Sequence, residues 1–173
     1  MQLVRSWAIE LAQALAFLHQ CKPPIIHRDL KPDNVMIGAF GAVYVLDWGL
    51  AVSIQDDGPA NIPKAKSERH VAGTPMYMAP EMAAGNGALL SPQSDIYLLG
   101  GILHTILTGE WLRVPNTSPE GIRAIVDFEY RPPDGLPERL IEILVKALAE
   151  SKSPPQQKRA YFHGKVAPIP FPS

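Results

Sequence analysis

The sequence predicts a mainly α-helical fold that contains one small β-hairpin. Apolar residues recur at three- or four-residue steps in several stretches, which is typical of helices with one buried face. Two short runs of strand-forming residues, at 35–37 and 42–46, are separated by Gly38 and Gly41, which favours a hairpin. With 173 residues, of which 46% are apolar, the chain is long enough to bury a core of its own.

Charge and composition narrow the classes of partner. The formal net charge is −1, so nothing favours nucleic acid or an anionic membrane surface as a partner. The single cysteine, Cys21, cannot form an internal disulfide, which indicates a reducing compartment and a cytoplasmic location. The longest apolar stretch, residues 96–107, is about half the length that spans a bilayer, so we expect a core helix and no membrane segment.

The first third of the chain predicts a helix, a short strand and the hairpin, in that order. The apolar face of the helix at residues 3–20 consists of Leu3, Trp7, Leu11, Leu15 and Leu18. Pro23-Pro24 ends this helix. Residues 25–26 then form a short buried strand that leads into a polar run, and the hairpin follows that run.

The remainder of the chain begins with a long loop and continues with helices. Residues 50–81 show no sustained period, and a loop of this length in a compact domain usually has a function. Three helices are expected after it, at residues 92–108, from Ser118-Pro119 onward, and at residues 137–149. Residues 151–173 predict a degenerate end with a Pro-rich tail, so we place the domain at residues 1–150.

Four polar side chains around the hairpin point to a chemistry: Asp29, Lys31, Asn34 and Asp47. Because Asn34 precedes the first strand and Asp47 follows the second, the hairpin folds these two residues toward each other. Amide and carboxylate oxygens suit Mg²⁺, which proteins hold with one or two side chains while substrate phosphates supply further oxygens. Lys31 can balance phosphate charge and Asp29 is a candidate base, so the group is typical of phosphoryl transfer.

Two motifs in this region resemble those of protein kinases. Residues 27–34, with the sequence His-Arg-Asp-Leu-Lys-Pro-Asp-Asn, resemble the family's catalytic loop. Asp47-Trp48-Gly49 is similar to the family's metal-binding Asp-Phe-Gly, with Trp48 in place of the usual Phe. The Lys-Pro-x-Asn form of the loop is similar to that of the Ser/Thr class.

Further motifs follow in the order that the family has them. Ala79-Pro80-Glu81 resembles the motif that closes the activation segment, and Gly73-Thr74-Pro75 before it is similar to that of the Ser/Thr class. Asp95 and Gly100 fall where the family's buried central helix has its Asp and Gly. The resemblance implies that residues 1–150 form the C-terminal lobe of a Ser/Thr protein kinase domain.

The resemblance also implies roles for the residues of the two chemical motifs. Asp29 would accept the proton of the substrate hydroxyl, and Lys31 would contact the γ-phosphate of ATP. Asn34 and Asp47 would hold Mg²⁺. Met36, on the strand after the loop, would lie under the adenine ring.

Other residues would serve the substrate, regulation or the scaffold. Thr74 would bond to the catalytic loop and help shape the peptide site. Arg28 would receive a phosphorylated residue of the activation segment; Ser67 is the nearest hydroxyl, while His70 sits nearer the position that many kinases use. Four residues are expected to be structural: His27 and Trp48 as core packing, and Glu81 and Asp95 as anchors of the scaffold.

The sequence departs from the family's pattern in its phosphate-covering parts. No Gly-x-Gly-x-x-Gly motif occurs in the 173 residues, and only one predicted helix precedes His27, so we expect the N-terminal lobe to be absent. Three interpretations follow. The chain is a Ser/Thr kinase that uses ATP, Mg²⁺ and protein hydroxyls but has little or no activity alone. Or it is a binding module for peptides, for another kinase or for a partner that carries an N-lobe. Or it is a gene fragment.

Overall fold

The computed structural model describes residues 2–55 and 58–149. In this part of the chain the fold is mainly helical with two short antiparallel strand pairs, so the predicted fold class is confirmed. The predicted tail, residues 151–173, lies outside the described residues, and the domain boundary at residue 150 stays a prediction. None of the described helices is long and apolar enough to cross a membrane.

The first helix, α1 (Gln2–Gln20), packs its predicted apolar face unevenly. Leu11 and Leu15 are buried, at 3% and 0% exposure, whereas Leu3 near the start of the helix is 67% exposed. After the helix, strand β1 (Ile25–Ile26) brings the chain back through the core, where Ile26 is fully buried. The polar run that follows this strand therefore begins in the protein interior.

The predicted hairpin is present as β2 (Val35–Ile37) and β3 (Val43–Val45). The two strands pair in an antiparallel register, with Met36 opposite Tyr44. The connection closes where the Gly38 amide donates to the Ala42 carbonyl at 2.8 Å, and Phe40 at its tip has a positive φ of 63°. The hairpin therefore ends in a tight turn, as the glycines predict.

Helix α3 (Pro92–Thr108) is the central element, and the structure confirms its predicted bounds. At its start the Ser91 amide donates to the Ser94 hydroxyl at 3.2 Å. At its end Gly109 has a φ of 76°, and its amide donates to the Thr105 carbonyl at 2.8 Å, which is the left-handed end that glycine favours. The most buried apolar side chains of the helix are those of Tyr97, Leu98 and Ile102.

The last two described helices pack against different neighbours, the first against the helix at Pro80–Ala83 and the second against α3. Helix α4 (Pro119–Val126) begins where the Ser118 hydroxyl accepts from the Gly121 amide at 3.1 Å, as the Ser-Pro pair predicts. Helix α5 (Glu138–Ala147) lies against α3 at Gly100. A β-carbon at Gly100 would come within 3.0 Å of Ala147, so the glycine permits the close approach of the two helices.

The segment at residues 50–81 is more ordered than its lack of period suggests. It contains strand β4 (Val52–Ser53), which pairs with β1, a 3₁₀ turn at Ala65–Ser67, and helix α2 (Pro80–Ala83). Backbone hydrogen bonds to distant residues hold it, among them Ser53 to the Pro63 carbonyl at 2.9 Å and Gly87 to the Glu68 carbonyl at 3.1 Å. Elements this short have no period of their own, so the sequence pattern does not detect them.

A buried histidine of α3 makes the stability of the fold depend on pH. His104 is 8% exposed, and its Nδ1 lies 3.2 Å from the Tyr130 hydroxyl. Burial lowers the pKa of His104 below its ordinary value of 6.5, which Glu110 partly opposes. The unfolded chain therefore binds the proton more readily than the folded one. The stabilisation is complete above the ordinary pKa and is lost as pH falls below it.

We expect the free energy of unfolding of the chain to fall between about pH 7.5 and 5.5, and His104→Gln to make this fall smaller. Urea denaturation of both proteins across that range measures the difference. The control is His70→Gln, because His70 is exposed. Equal pH dependence in wild type and His104→Gln would show that His104 carries none of the effect.

Candidate active site

The polar run after β1 is anchored by the buried carboxylate of Asp95, in the first turns of α3. This side chain is fully buried, and its Oδ2 and Oδ1 accept the backbone amides of His27 at 2.9 Å and Arg28 at 3.0 Å. The His19 ring, from α1, contributes a third contact to Oδ2 through Nε2 at 2.9 Å. Asp95 thus joins α1, α3 and the start of the loop, in keeping with its expected role as an anchor.

His27 is a packed core histidine, with 0% exposure, as expected. Its Nε2 lies 3.1 Å from the Leu46 carbonyl, and its Nδ1 accepts the Asp29 amide at 3.3 Å. The neutral tautomer with its proton on Nε2 satisfies both contacts. The ring therefore ties the loop to the end of β3, and both of its nitrogens are used in structure.

The prediction that Trp48 packs in the core is wrong, because its side chain is 44% exposed. The ring meets His27 edge-on, with 4.8 Å between ring centroids, and its indole N–H donates to the Val45 carbonyl at 3.2 Å. Leu46 and Asp47 beside it are exposed too. The whole turn after β3 lies at the surface, and the ring is covered on its His27 side.

Asp29 lies at the centre of a small polar cluster. Its side chain is nearly buried, and its Oδ1 accepts the Thr74 hydroxyl at 2.7 Å. Its Oδ2 lies 3.2 Å from both the Asn34 amide nitrogen and the Lys31 ammonium. Lys31 also donates to the Thr74 oxygen at 3.1 Å. The structure thus brings together four residues that the sequence singled out, and it places a cation beside the candidate base.

The hairpin brings Asn34 and Asp47 to the same end of the strand pair. The Leu46 amide donates to the Asn34 carbonyl at 2.8 Å, and Asp47 is the next residue. Asn34 uses its amide nitrogen for Asp29, at 2.8 Å to the carbonyl and 3.2 Å to the carboxylate. Its amide oxygen is therefore the atom that remains for a cation. Asp47 is exposed, with φ of 56°, and one of its oxygens accepts the Gly49 amide at 3.1 Å.

This donor set fits a hard cation that keeps most of its shell for other oxygens. Within residues 2–55 and 58–149, no group of three or more His, Cys, Asp or Glu side chains comes together as a metal site. One amide oxygen and one exposed carboxylate are what Mg²⁺ takes from a protein when phosphates supply further ligands. Asn34 and Asp47 are the residues that would hold it.

Met36 lies on β2, where its side chain is 48% exposed. The hairpin exposes four further large apolar side chains, those of Ile37, Phe40, Tyr44 and Leu46. Met36 pairs with Tyr44 across the strands, so these two side chains lie on one face of the hairpin, and an exposed apolar face of this kind suits a flat ring such as adenine. The contact of Met36 with adenine stays a prediction.

Arg28 has a partner that the sequence analysis missed. Its guanidinium is buried, and Nη1 pairs with Glu68 at 3.1 Å, while Nε is buried with no hydrogen-bond partner among the described atoms. Glu68 directly follows Ser67, the candidate phosphosite. An acid next to a candidate phosphosite is the signal that could have indicated this pair.

Glu68 is held in place by its own backbone. Its amide donates to the Ala65 carbonyl at 3.0 Å, and its carbonyl accepts from the Gly87 amide at 3.1 Å. A β-carbon at Gly87 would lie only 1.7 Å from the Ala65 oxygen, so this close approach requires glycine. The Arg28 side chain therefore meets a carboxylate whose position is already set.

Glu81 has a scaffold role, as expected. It begins α2 almost fully buried, and its Oε1 accepts the Ser94 hydroxyl at 2.7 Å. Since Ser94 precedes Asp95 on α3, the carboxylate links the end of the 50–81 segment to the helix that anchors the loop. Two acids thereby fix the two sides of the site to a single helix.

Comparison with known proteins places these features in a family. The protein kinase domain family matches residues 1–156 of the chain. The serine/threonine-protein kinase PknD of Protochlamydia amoebophila is 43% identical over an alignment of 112 residues, and the match covers 58% of this chain and 11% of that protein. The serine/threonine-protein kinase PknB of Mycobacterium tuberculosis is 37% identical over 149 residues, covering 82% of this chain and 22% of that protein.

The PknB of Mycobacterium leprae is likewise 37% identical, over 146 residues, with the same coverage of 82% and 22%. The chain therefore spans about a fifth or less of the length of these curated relatives.

We expect Glu68→Gln to lower the free energy of unfolding by about 1–3 kcal/mol, because it removes the charge that balances a buried guanidinium. Ser67→Ala, one residue away and exposed, is the matched control and should change stability by less than about 0.5 kcal/mol. Urea denaturation of the three proteins measures both. A Glu68→Gln protein as stable as the Ser67→Ala protein would contradict the assigned pair.

Proposed function

Because this chain belongs to the serine/threonine protein kinase family, we propose that it forms the C-terminal lobe of a catalytic domain that phosphorylates protein Ser and Thr hydroxyls. The reactants are ATP, Mg²⁺ and a protein substrate. The observation that supports this most is the cluster in which Asp29 contacts Lys31, Asn34 and Thr74 at the end of the hairpin that carries Asp47. Residues 1–150 are the proposed lobe.

In this proposal the carboxylate of Asp29 orients the substrate hydroxyl and takes its proton. The hydroxyl oxygen forms a bond to the γ-phosphorus as the bond from that phosphorus to the leaving ADP oxygen breaks. Lys31, within 3.2 Å of Asp29, supplies a positive charge at the place where the two groups meet. Asn34 and Asp47 would hold Mg²⁺, which when bound would neutralise phosphate charge.

Thr74 connects the polar cluster to the segment along which a protein substrate would lie. Its hydroxyl donates to Asp29 at 2.7 Å and accepts from Lys31 at 3.1 Å, so it bonds to both groups at once. The segment that follows Thr74 runs directly from the candidate base to α2. A protein substrate that presents a hydroxyl to Asp29 would lie along this segment.

The ion pair between Arg28 and Glu68 supports the proposal that the segment at residues 50–81 is held in place without a phosphorylated residue. Arg28 precedes Asp29, and its backbone is fixed by Asp95 while its side chain meets Glu68. Ser67 as a phosphosite remains a prediction. Its test is the intact mass of the protein after co-expression with an active relative, where absence of phosphate on Ser67 would count against it.

A second candidate function is binding without phosphoryl transfer. One observation favours it: the hairpin exposes Met36, Ile37 and Tyr44. In that case the chain would dock peptides or a partner that carries an N-lobe, and binding would survive Asp47→Ala. Catalysis by contrast depends on Asp29 and Asp47, so the two functions are separable.

We expect Asp29→Asn to reduce phosphate transfer from labelled ATP to a basic protein by roughly 10²–10⁴-fold, which is the range for loss of a general base. The assay uses the natural polypeptide that carries these residues. Asp33→Asn is the matched control, because Asp33 is an exposed acid of the same loop, and it should retain activity. Incorporation by the wild type that does not exceed that of Asp29→Asn would remove the catalytic proposal in favour of binding.

A further inference from the structure

Arg113 makes an unusual set of contacts in the stretch that connects α3 to α4. Its guanidinium carbon lies 4.7 Å from the ring centroid of Phe128 and 5.7 Å from that of Tyr97. Both distances are within the range of cation–π attraction. Two aromatic rings therefore hold the planar group, and they come from different parts of the chain.

All three guanidinium nitrogens of Arg113 have an acceptor. Nη1 donates to the Tyr97 hydroxyl at 2.8 Å, Nε donates to the Pro75 carbonyl at 3.4 Å, and Nη2 donates to the Met78 carbonyl. Two of these acceptors belong to the short segment of residues 74–78. Within the part of the chain that the structure describes, Arg113 has no carboxylate within 4.0 Å. The guanidinium therefore interacts with backbone carbonyls and aromatic rings.

The segment of residues 74–78 is the one that leads away from the candidate base. Its first residue, Thr74, bonds to Asp29, and the amides of Tyr77 and Met78 both return to the Thr74 carbonyl at 2.9 Å. Arg113 donates to the carbonyls of Pro75 and Met78 in the same segment. The backbone of the segment is thus held by hydrogen bonds to its own residue Thr74 and to the side chain of Arg113.

The side chain of Tyr77 shows how closely this segment fits the lobe. It is 2% exposed, and a β-carbon at Gly101 of α3 would lie 3.0 Å from its ring. Leu112, the neighbour of Arg113, packs at the same place. Arg113 therefore acts where the segment, α3 and the stretch after α3 meet.

Chemistry explains why an arginine suits this position. Burial lowers the pKa of the Arg113 guanidinium, and Tyr97 partly opposes this effect. A flat, five-donor group can reach two carbonyls and a hydroxyl while its faces stack on rings. A lysine has one donor point and no flat face, so it would keep the charge but lose this geometry.

We infer that Arg113 is a positioning residue for the protein substrate, because it fixes the backbone of residues 74–78 next to the candidate base. This inference rests on the proposed function. The part of the substrate affected is the peptide that flanks the phosphoacceptor hydroxyl, whereas the nucleotide side of the site, at Asn34 and Asp47, makes no contact with Arg113 among the described residues.

The first experiment measures backbone amide exchange in the full chain. We expect Arg113→Met to speed exchange at Tyr77 and Met78 by at least about tenfold relative to the amide of Ile102 in α3. Arg123→Met is the control, since Arg123 is an exposed arginine of α4, and it should change neither. Unchanged exchange at Tyr77 and Met78, or equal acceleration at Ile102, would overturn the inference.

The second experiment measures kinetics in the natural polypeptide that carries these residues. Arg113→Met should raise KM for a protein substrate about tenfold, while KM for ATP stays within about twofold of wild type. Arg113→Lys should fall between wild type and Arg113→Met in both experiments, and it carries the test if Arg113→Met does not fold. Faster exchange with an unchanged KM would overturn the substrate role.

The two experiments separate the inference from the proposed function. If the wild type transfers no phosphate, the proposed function fails, and with it the role of Arg113 toward a substrate. The exchange measurement still decides whether Arg113 fixes residues 74–78, because that measurement needs no activity.

Discussion

One buried carboxylate, that of Asp95, sets the position of the loop at residues 27–34. A fully buried carboxylate is tolerated in a protein only when hydrogen bonds replace its water, and here two loop amides and the His19 ring do so. The dependence is mutual. Without the acid, two buried amides would lose their partner at about 1–3 kcal/mol each. Asp95 therefore couples the loop to α3, the most deeply packed helix of the fold.

Further hydrogen bonds connect the anchored loop to the residues of the candidate site. His27 bonds to Leu46 after β3, next to Asp47, and Arg28 forms an ion pair with Glu68. Asp29 then meets Lys31, Asn34 and Thr74 within 3.2 Å. Since phosphoryl transfer depends on positioning and charge more than on covalent chemistry, a preformed cluster of this kind is what the reaction requires of a protein. Asp95 of α3 and Asp29, the candidate base, are thus parts of one network of contacts.

The sequence predicts the elements that have local signals. Ser91-Pro92 and Gly109 mark the ends of α3 within a few residues, and Gly38 and Gly41 mark the hairpin turn. The convergence of Asn34 and Asp47 follows from the hairpin alone. The motif order also assigns the loop to its family before any contact is known.

The contacts between distant residues could not be predicted in this way. Arg28 and Glu68 are 40 positions apart, and Arg113 and Pro75 are 38 apart, so no period or spacing joins them. Strand β4 has only two residues, which is too short for a pattern, and no spacing indicates that it pairs with β1. Trp48 was misjudged because a large apolar ring is usually buried, whereas here it lies in a surface turn and is covered on its His27 side.

The central claim is that Asn34 and Asp47 form the metal side of a phosphoryl-transfer centre beside Asp29. The most direct test is paramagnetic broadening of NMR signals in the natural polypeptide, with Mn²⁺ and ATP as the probe. Signals of Asn34 and Asp47 should broaden at Mn²⁺ levels that leave Glu120, an exposed acid of α4, unaffected, and Asp47→Ala should abolish the effect at Asn34. Broadening that spares Asn34 and Asp47, or that persists at Asn34 in Asp47→Ala, would contradict the account.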